Sequence, residues 1–349
     1  MVLLVISMSI IFKLLGATWN QRLQCPSLRR LRQITRLGWQ DRKTSRHCVC
    51  VALYLVAMAL LPSLVGQGAT QQPHILGLAH VAFRVGDLAK TGAFYKTVFG
   101  FDEPVSLGEE NGQAAIALVK VNEEQYIELL AGDASSQGLL DHFALYTDNL
   151  TALRNYLLTH GVPIVRDIHQ GRVGNPFFTV SDPDGRPLEI LQYVHTSLTG
   201  RSKGQSLPGD RASAHITHVG IVVRSEGTAM KFYRDVLGFR EIARGGRESG
   251  KSNWIDLQAP DGADVIELIP FAEVPSAKDL KAMNHLCFVS PDVQKTAAAI
   301  EARLGASSPH LSIQSGGLPP RVELSDPDGA RIEIMQSIAS GKPVSGNAF

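Results

Sequence analysis

The sequence predicts an α+β fold built from four βαβββ modules in two similar halves, and three observations carry that expectation. First, "HVAFRVGDLAKTGAFYKTVFGFDE" (80–103) realigns without a gap with "HVGIVVRSEGTAMKFYRDVLGFRE" (218–241), at a shift of 138 residues. Second, each half divides again: a His-bearing strand, an amphipathic helix and a closing strand with one Glu among aliphatic residues occur four times. Third, the pairs His80/Glu128, His142/Glu189, His218/Glu267 and His285/Glu333 are separated by 48, 47, 49 and 48 residues. Four unrelated core histidines would have no reason to keep that spacing.

Taken in order along the chain, residues 1–73 read as a leader. "VCVALYLVAMALLPSLVG" (49–66) follows the basic "DRKTSRH" and precedes the small, polar "QGATQQP". Basic, then apolar, then small is the order of a secretory signal, here over 41–69 with cleavage near Gly68 or Ala69. The competing reading is a retained membrane anchor, since 18 apolar residues nearly span a bilayer. The protein is therefore expected to be exported (periplasmic or secreted) or membrane-anchored. A second apolar stretch far upstream suggests an over-extended translation start in the first 40 or so residues.

The globular part runs as domain 1 (74–196), a polar linker "SLTGRSKGQSLPGDRAS" (197–213), domain 2 (214–338) and a tail (339–349). Each module opens with an alternating strand such as "LGLAHVAFRV", continues into a helix such as "LAKTGAFYKTVFG", and closes on strands such as "YIELL" or "VIELI". "DPDG" precedes the last strand of the second and fourth modules, where Asp and Pro start a turn and Gly accepts positive φ. The chain is 44 % hydrophobic and 19 % charged with a formal charge of +1, which carries no nucleic-acid signal. Of four cysteines only Cys287 lies in the globular part, so no disulfide framework is expected.

The strand faces point to chemistry. Two residues beyond each His, on the same face, stand Ala82, Ala144, Gly220 and Cys287, small enough to leave room for an imidazole. Each Glu faces away from its aliphatic neighbours, and an inward carboxylate is costly unless it is paired or binds a metal. His and Glu converging on one face predict a divalent site of mixed nitrogen and oxygen ligands. Arg84 shares the face of His80 and Arg331 that of Glu333, each either a holder of an anionic substrate or an exposed strand-end arginine. Cys287 reads first as a small residue filling core space.

The βαβββ order, "FYKTVFGF" and "FYRDVLGF" after the helices, and the two "DPDG" turns resemble the vicinal oxygen chelate superfamily, the glyoxalase, bleomycin-resistance and extradiol dioxygenase group. The resemblance covers about 265 residues. It implies two glyoxalase-like domains with curved, mostly antiparallel sheets and helices outside. It also implies two ligand sets, His80, Glu128, His142 and Glu189, and His218, Glu267, His285 and Glu333, for Zn, Ni, Co, Mn or Fe. Glu189 and Glu333 take the position of the family's proton-moving glutamate, as candidate general bases. The function implied is a metal-dependent, glyoxalase-like lyase or isomerase acting on a small vicinal-oxygen substrate, whose charge the metal stabilises as a Lewis acid.

Two alternatives stand beside it. One is an Fe(II) extradiol-type ring-cleaving dioxygenase using His218, His285 and Glu333; Thr179 and Glu323 stand where that subfamily commonly has Tyr. The other is a non-catalytic binding protein of the bleomycin-resistance type. The partners expected are a small molecule, no nucleic acid, and a membrane only if the N-terminal segment is retained, in a monomer or homodimer.

Overall fold

A computed structural model describes residues 72–113, 115–133, 139–246, 253–271, 273, 275–305, 312–314 and 320–337. The leader up to residue 71, with its proposed signal segment, and the tail 339–349 lie outside the described residues. Among the described residues, no helix is long and apolar enough to cross a membrane.

Module one comprises β1 (Gly77–Val85), α1 (Leu88–Phe99), β2 (Asp102–Leu107), β3 (Ile116–Lys120) and β4 (Tyr126–Ala131). Module two comprises β5 (Leu140–Tyr146), α2 (Leu150–Thr159), β6 (Ile164–Gln170), β7 (Pro176–Ser181) and β8 (Pro187–Leu191). After the short helix α3 (Leu198–Arg201), the pattern repeats. Module three has β9 (Ile216–Val223), α4 (Glu226–Met230) running into a π-helical turn (Lys231–Val236), β10 (Arg240–Gly245), β11 (Trp254–Gln258) and β12 (Val265–Pro270). An additional helix, α5 (Ala277–Met283), precedes module four: β13 (His285–Ser290), α6 (Val293–Leu304), β14 (Ser312–Gln314), β15 (Arg321–Ser325) and β16 (Arg331–Gln336).

Modules one and two form one eight-stranded sheet, β2-β3-β4-β1-β5-β8-β7-β6, and modules three and four form its counterpart, β10-β11-β12-β9-β13-β16-β15-β14. Within each module the first and last strands pair in parallel, and all other pairings are antiparallel. The α+β expectation with mostly antiparallel sheets therefore holds, with sequence-adjacent modules sharing a sheet.

The helices start and stop where local chemistry dictates. Asp87, Asn149, Ser225 and Asp292 each accept a backbone N–H in the first turn. Gly100 closes α1 in the left-handed region (φ 70°), open to glycine without strain. Odd positions of the first strands (Val81, Phe83, Val219, Ile221) are buried with Tyr95, Phe99, Phe101 and Phe288 in one core that spans both halves. The even positions, bearing the histidines, face the other way.

Two features join the halves that strand patterns do not reveal. The "DPDG" turns reach across the chain: Asp182 accepts from the Tyr233 hydroxyl (3.1 Å) and Asp326 from that of Tyr95 (3.4 Å). The repeated Tyr of "FY" thus docks on the repeated Asp of the opposite half. A local pseudo-twofold relation appears beside it. Leu78 N–H donates to Asp264 Oδ2 (2.7 Å), the equivalent Ile216 N–H donates to Gln125 Oε1 (2.8 Å), and Gln125 Nε2 donates to Asp264 (3.0 Å).

The polar segment 197–213 is bonded to the first half. It is built onto the first sheet because the fully buried ammonium of Lys120 needs acceptors: Ser202 O (2.6 Å), Gln205 O (3.0 Å) and Glu123 Oε2 (2.8 Å).

Candidate metal centres

Register explains why the eight predicted residues gather in two groups. In the first sheet Ala82 lies opposite both His142 and Glu128, and Ala144 lies opposite both His80 and Glu189. In the second, Gly220 lies opposite His285 and Glu267, and Cys287 opposite His218 and Glu333. Each small residue is thus the floor between one imidazole and one carboxylate. At Gly220 the fit is tightest: a Cβ there would lie 2.0 Å from the His285 ring.

In the first half all four predicted donors meet. His80 Nε2 and His142 Nε2 are 3.1 Å apart, and Glu128 Oε2 lies 3.2 and 3.3 Å from them. Glu189 Oε2 stands further out, at 3.7 and 3.8 Å. The His142 Nδ1–H donates to Asp141 Oδ2 (2.9 Å), and Arg84 Nε donates to Asp141 Oδ1 (2.6 Å). That bond fixes the tautomer and aims the His142 Nε2 lone pair at the other donors, the usual outer support of a metal-bound histidine.

Arg84, expected as a possible substrate holder, supports Asp141 instead. Asp141 itself escaped strand reasoning because alternation assigns it to the opposite face from His142. A register shift skips it in the β1–β5 ladder, and such a bulge re-aims its side chain.

Charge favours a cation here. Glu128, Glu189 and Asp141 surround two imidazoles, with Arg84 paired to Asp141 and Arg166 acting on Glu189 as nearby fixed cations. Burial pushes the Glu189 carboxyl up to about 7 and the His80 imidazole down to about 4. Burial also opposes charge on His142, but Glu189, Asp141 and Glu128 outweigh it and hold its pKa well above the ordinary value. A proton on His142 thus stands where a divalent ion would place its charge, and His80, Glu128 and His142 present ligand atoms close enough to share one.

The second half is built differently. His218 Nε2 and His285 Nε2 are 3.0 Å apart, with Glu267 Oε1 3.5 Å from His285. His285 Nδ1–H donates to the Met283 carbonyl (2.9 Å), which aims its Nε2 inward as Asp141 does for His142. Glu333, however, is ion-paired with Arg331, which also reaches Glu323 at 3.1 Å. With this built-in cation nearby, both imidazoles are kept neutral: burial, aided by His285, lowers His218 to about 3, and burial, aided by Arg331, lowers His285 to about 3. Burial, with Asp256 and Glu333 nearby, raises Glu267 to about 8.

Asp256, opposite Glu267 on β11, was not anticipated; its Oδ1 is buried without a hydrogen-bond partner. Its counterpart in the first half is Leu118. Among the described residues of this half, two sets of ligand atoms lie close enough to share an ion, His218/Glu267/His285 and His218/Cys287/Glu333.

Comparison with known proteins agrees with this fold. Among solved structures, homoprotocatechuate 2,3-dioxygenase from Brevibacterium fuscum is similar at a TM-score of 0.58 and 19 % identity, over 81 % of this chain and 77 % of that one. The 2,3-dioxygenase LapB from Pseudomonas sp. KL28 is similar at 0.59 and 15 %, over 78 % and 96 %. The Mn(II)-bound glyoxalase from Novosphingobium aromaticivorans is similar at 0.57 and 19 %, over 76 % and 84 %. At these identities the likeness is one of fold. No curated protein matches the chain. The family model described as Glyoxalase/Bleomycin resistance protein/Dioxygenase superfamily matches twice, over residues 77–190 and 215–334, and the chain belongs to that superfamily.

Proposed function

We propose that the protein is a metal-dependent enzyme of the glyoxalase-like lyase or isomerase type, with its reaction centre in the first half. The observation that supports this reading is the convergence of His80, Glu128, His142 and Glu189 on one point, with Asp141 fixing the ring of His142. His80, His142 and Glu128 would hold a divalent ion, which supplies Lewis-acid polarisation of two adjacent substrate oxygens. Glu189, the outermost of the four, would take a proton from one substrate carbon and return it to its neighbour. The buried side chains Val105, Leu118 and Tyr126, with Tyr193 and Leu198 against them, form an apolar cluster whose Leu118 shares the inward face with the donors. They favour a small, weakly polar substrate body whose oxygens face the metal.

The test is metal analysis of the purified full chain with an activity panel of small hydroxy-carbonyl and catechol compounds, followed by oxygen uptake. The reading expects turnover without oxygen consumption. It also expects Glu189→Gln to keep the metal while losing about 10²–10⁴ in rate. Oxygen uptake with ring cleavage would instead favour the Fe(II) dioxygenase alternative. Absence of bound metal would favour a binding protein of the bleomycin-resistance type.

We further propose export through residues 41–69, supported by their basic, apolar and small order.

A further inference from the structure

The two inner faces differ at equivalent positions, and the differences cluster. Where the first half has Leu118, Ala144, Thr179 and Pro187, the second has Asp256, Cys287, Glu323 and Arg331. Arg331 holds Glu333 toward Glu323 on β15. The second half therefore ties down the carboxylate whose counterpart, Glu189, remains near both histidines in the first. At the floor position between His218 and Glu333, where the first half has an inert Ala144, it places a thiol. Cys287 is fully buried, pairs directly with His218 on one side and Glu333 on the other, and offers Sγ within 4.8 Å of their ligand atoms.

We propose that Cys287 is a metal ligand, so that the second half is a sulphur-containing site for a thiophilic divalent ion such as Zn²⁺ or Cd²⁺. The first half, with only nitrogen and oxygen donors, suits harder ions. This rests on the reading that the inner faces hold metal, and the first half serves as an internal reference for it.

The geometry is within reach. With bonds of about 2.3 Å to sulphur and about 2.0–2.2 Å to nitrogen or oxygen, a tetrahedral ion spaces its donors about 3.5 Å apart. The ligand atoms of His218, Cys287 and Glu333 already lie within 4.8 Å of one another, so side-chain rotation closes the difference. Binding forms a metal–sulphur bond and breaks the S–H bond, the proton leaving to solvent, so uptake at this site releases one proton from the thiol. Soft thiolate ligands bias a site toward such ions, whereas imidazole and carboxylate alone do not.

The experiment uses the full chain with Cys25, Cys48 and Cys50 changed to Ser, which leaves Cys287 as the sole thiol. Metal-free protein is titrated with Co²⁺ and Cd²⁺ while the ultraviolet sulphur-to-metal charge-transfer absorption is followed, and total bound metal is counted separately. One equivalent is expected to produce the band. Cys287→Ala should abolish it and weaken Cd²⁺ at that site by at least about tenfold, with unchanged circular dichroism, because alanine already serves at the equivalent position 144. His218→Ala should also remove the band, and His142→Ala should leave it. Metal bound by the first half with no charge-transfer band would overturn this inference alone. A band that survives Cys287→Ala would do the same. No metal bound by either half would overturn it together with the proposed function.

Discussion

Removing Asp141 is the perturbation whose effect the structure lets us size. Its carboxylate accepts the His142 Nδ1–H at 2.9 Å, is braced by Arg84 at 2.6 Å, and its side chain is only 19 % exposed. A hydrogen bond to a charged, mostly buried group contributes about 1.5–3 kcal/mol. Loss of such an outer partner typically costs about 10–100-fold in metal affinity, which converts to about 1.4–2.7 kcal/mol. Asp141→Ala should therefore raise the dissociation constant of the first site by about 10–100-fold at unchanged stoichiometry. Asp141→Asn, whose amide oxygen still accepts from Nδ1–H, should recover part of the loss. Arg84→Ala should cost less than about fivefold, because that guanidinium is 33 % exposed and its pairing is screened. The assay is competition against a chromophoric chelator, on a His218→Ala background that removes the residue common to both ligand sets of the second half. Affinity unchanged in Asp141→Ala would refute the claim that this carboxylate orients His142 as a ligand.

Further outcomes follow from other contacts. Gly220→Ala places a methyl group 2.0 Å from the His285 ring, so the second site should lose its ion while the first keeps its own, as metal counting would show. Asp326 is buried beside Tyr95, and burial raises its carboxyl to about 6 from 3.8. A raised folded-state value means this stability is fully present below the unfolded value and is lost as pH rises through about 6. The step should reach about 3 kcal/mol at most. Urea midpoints between pH 4 and 7 should show it flattened in Asp326→Asn, and identical pH profiles would contradict this. For export, mass spectrometry of native protein should find an N-terminus near Gly68 or Ala69, and a cytosolic form starting upstream of residue 40 would contradict that proposal.

How much of this was legible in the sequence depends on how local each cause was. The 138-residue repeat and the constant His-to-Glu spacing were sufficient for the modules, since register follows once alternation and turn chemistry agree. The gathering of His80, Glu128, His142 and Glu189 on one face was readable that way. Asp141 was not, because the bulge that turns it depends on pairing with β1. Arg331 was readable as sharing the face of Glu333, but its ion pairs with Glu333 and with Glu323 from a neighbouring strand were not. "DPDG" was readable as a turn, with Gly185 and Gly329 at φ 85° and 89°. Its second use, receiving a tyrosine hydroxyl from the opposite half, needs contacts 51 and 231 residues apart that no local pattern encodes. The segment 197–213 was readable as a polar connection, but the use of its carbonyls by the buried Lys120 depends on a strand about 80 residues earlier.

His80, Glu128 and His142 are proposed to hold a divalent ion with Glu189 beside it. Anomalous X-ray diffraction from crystals of the zinc-loaded protein, collected across the zinc edge, locates that ion. A peak is expected about 2.0–2.2 Å from His80 Nε2, His142 Nε2 and a Glu128 oxygen, with the Asp141–His142 hydrogen bond retained. Zinc located elsewhere in the chain, with these four side chains still bonded only to one another, would contradict it.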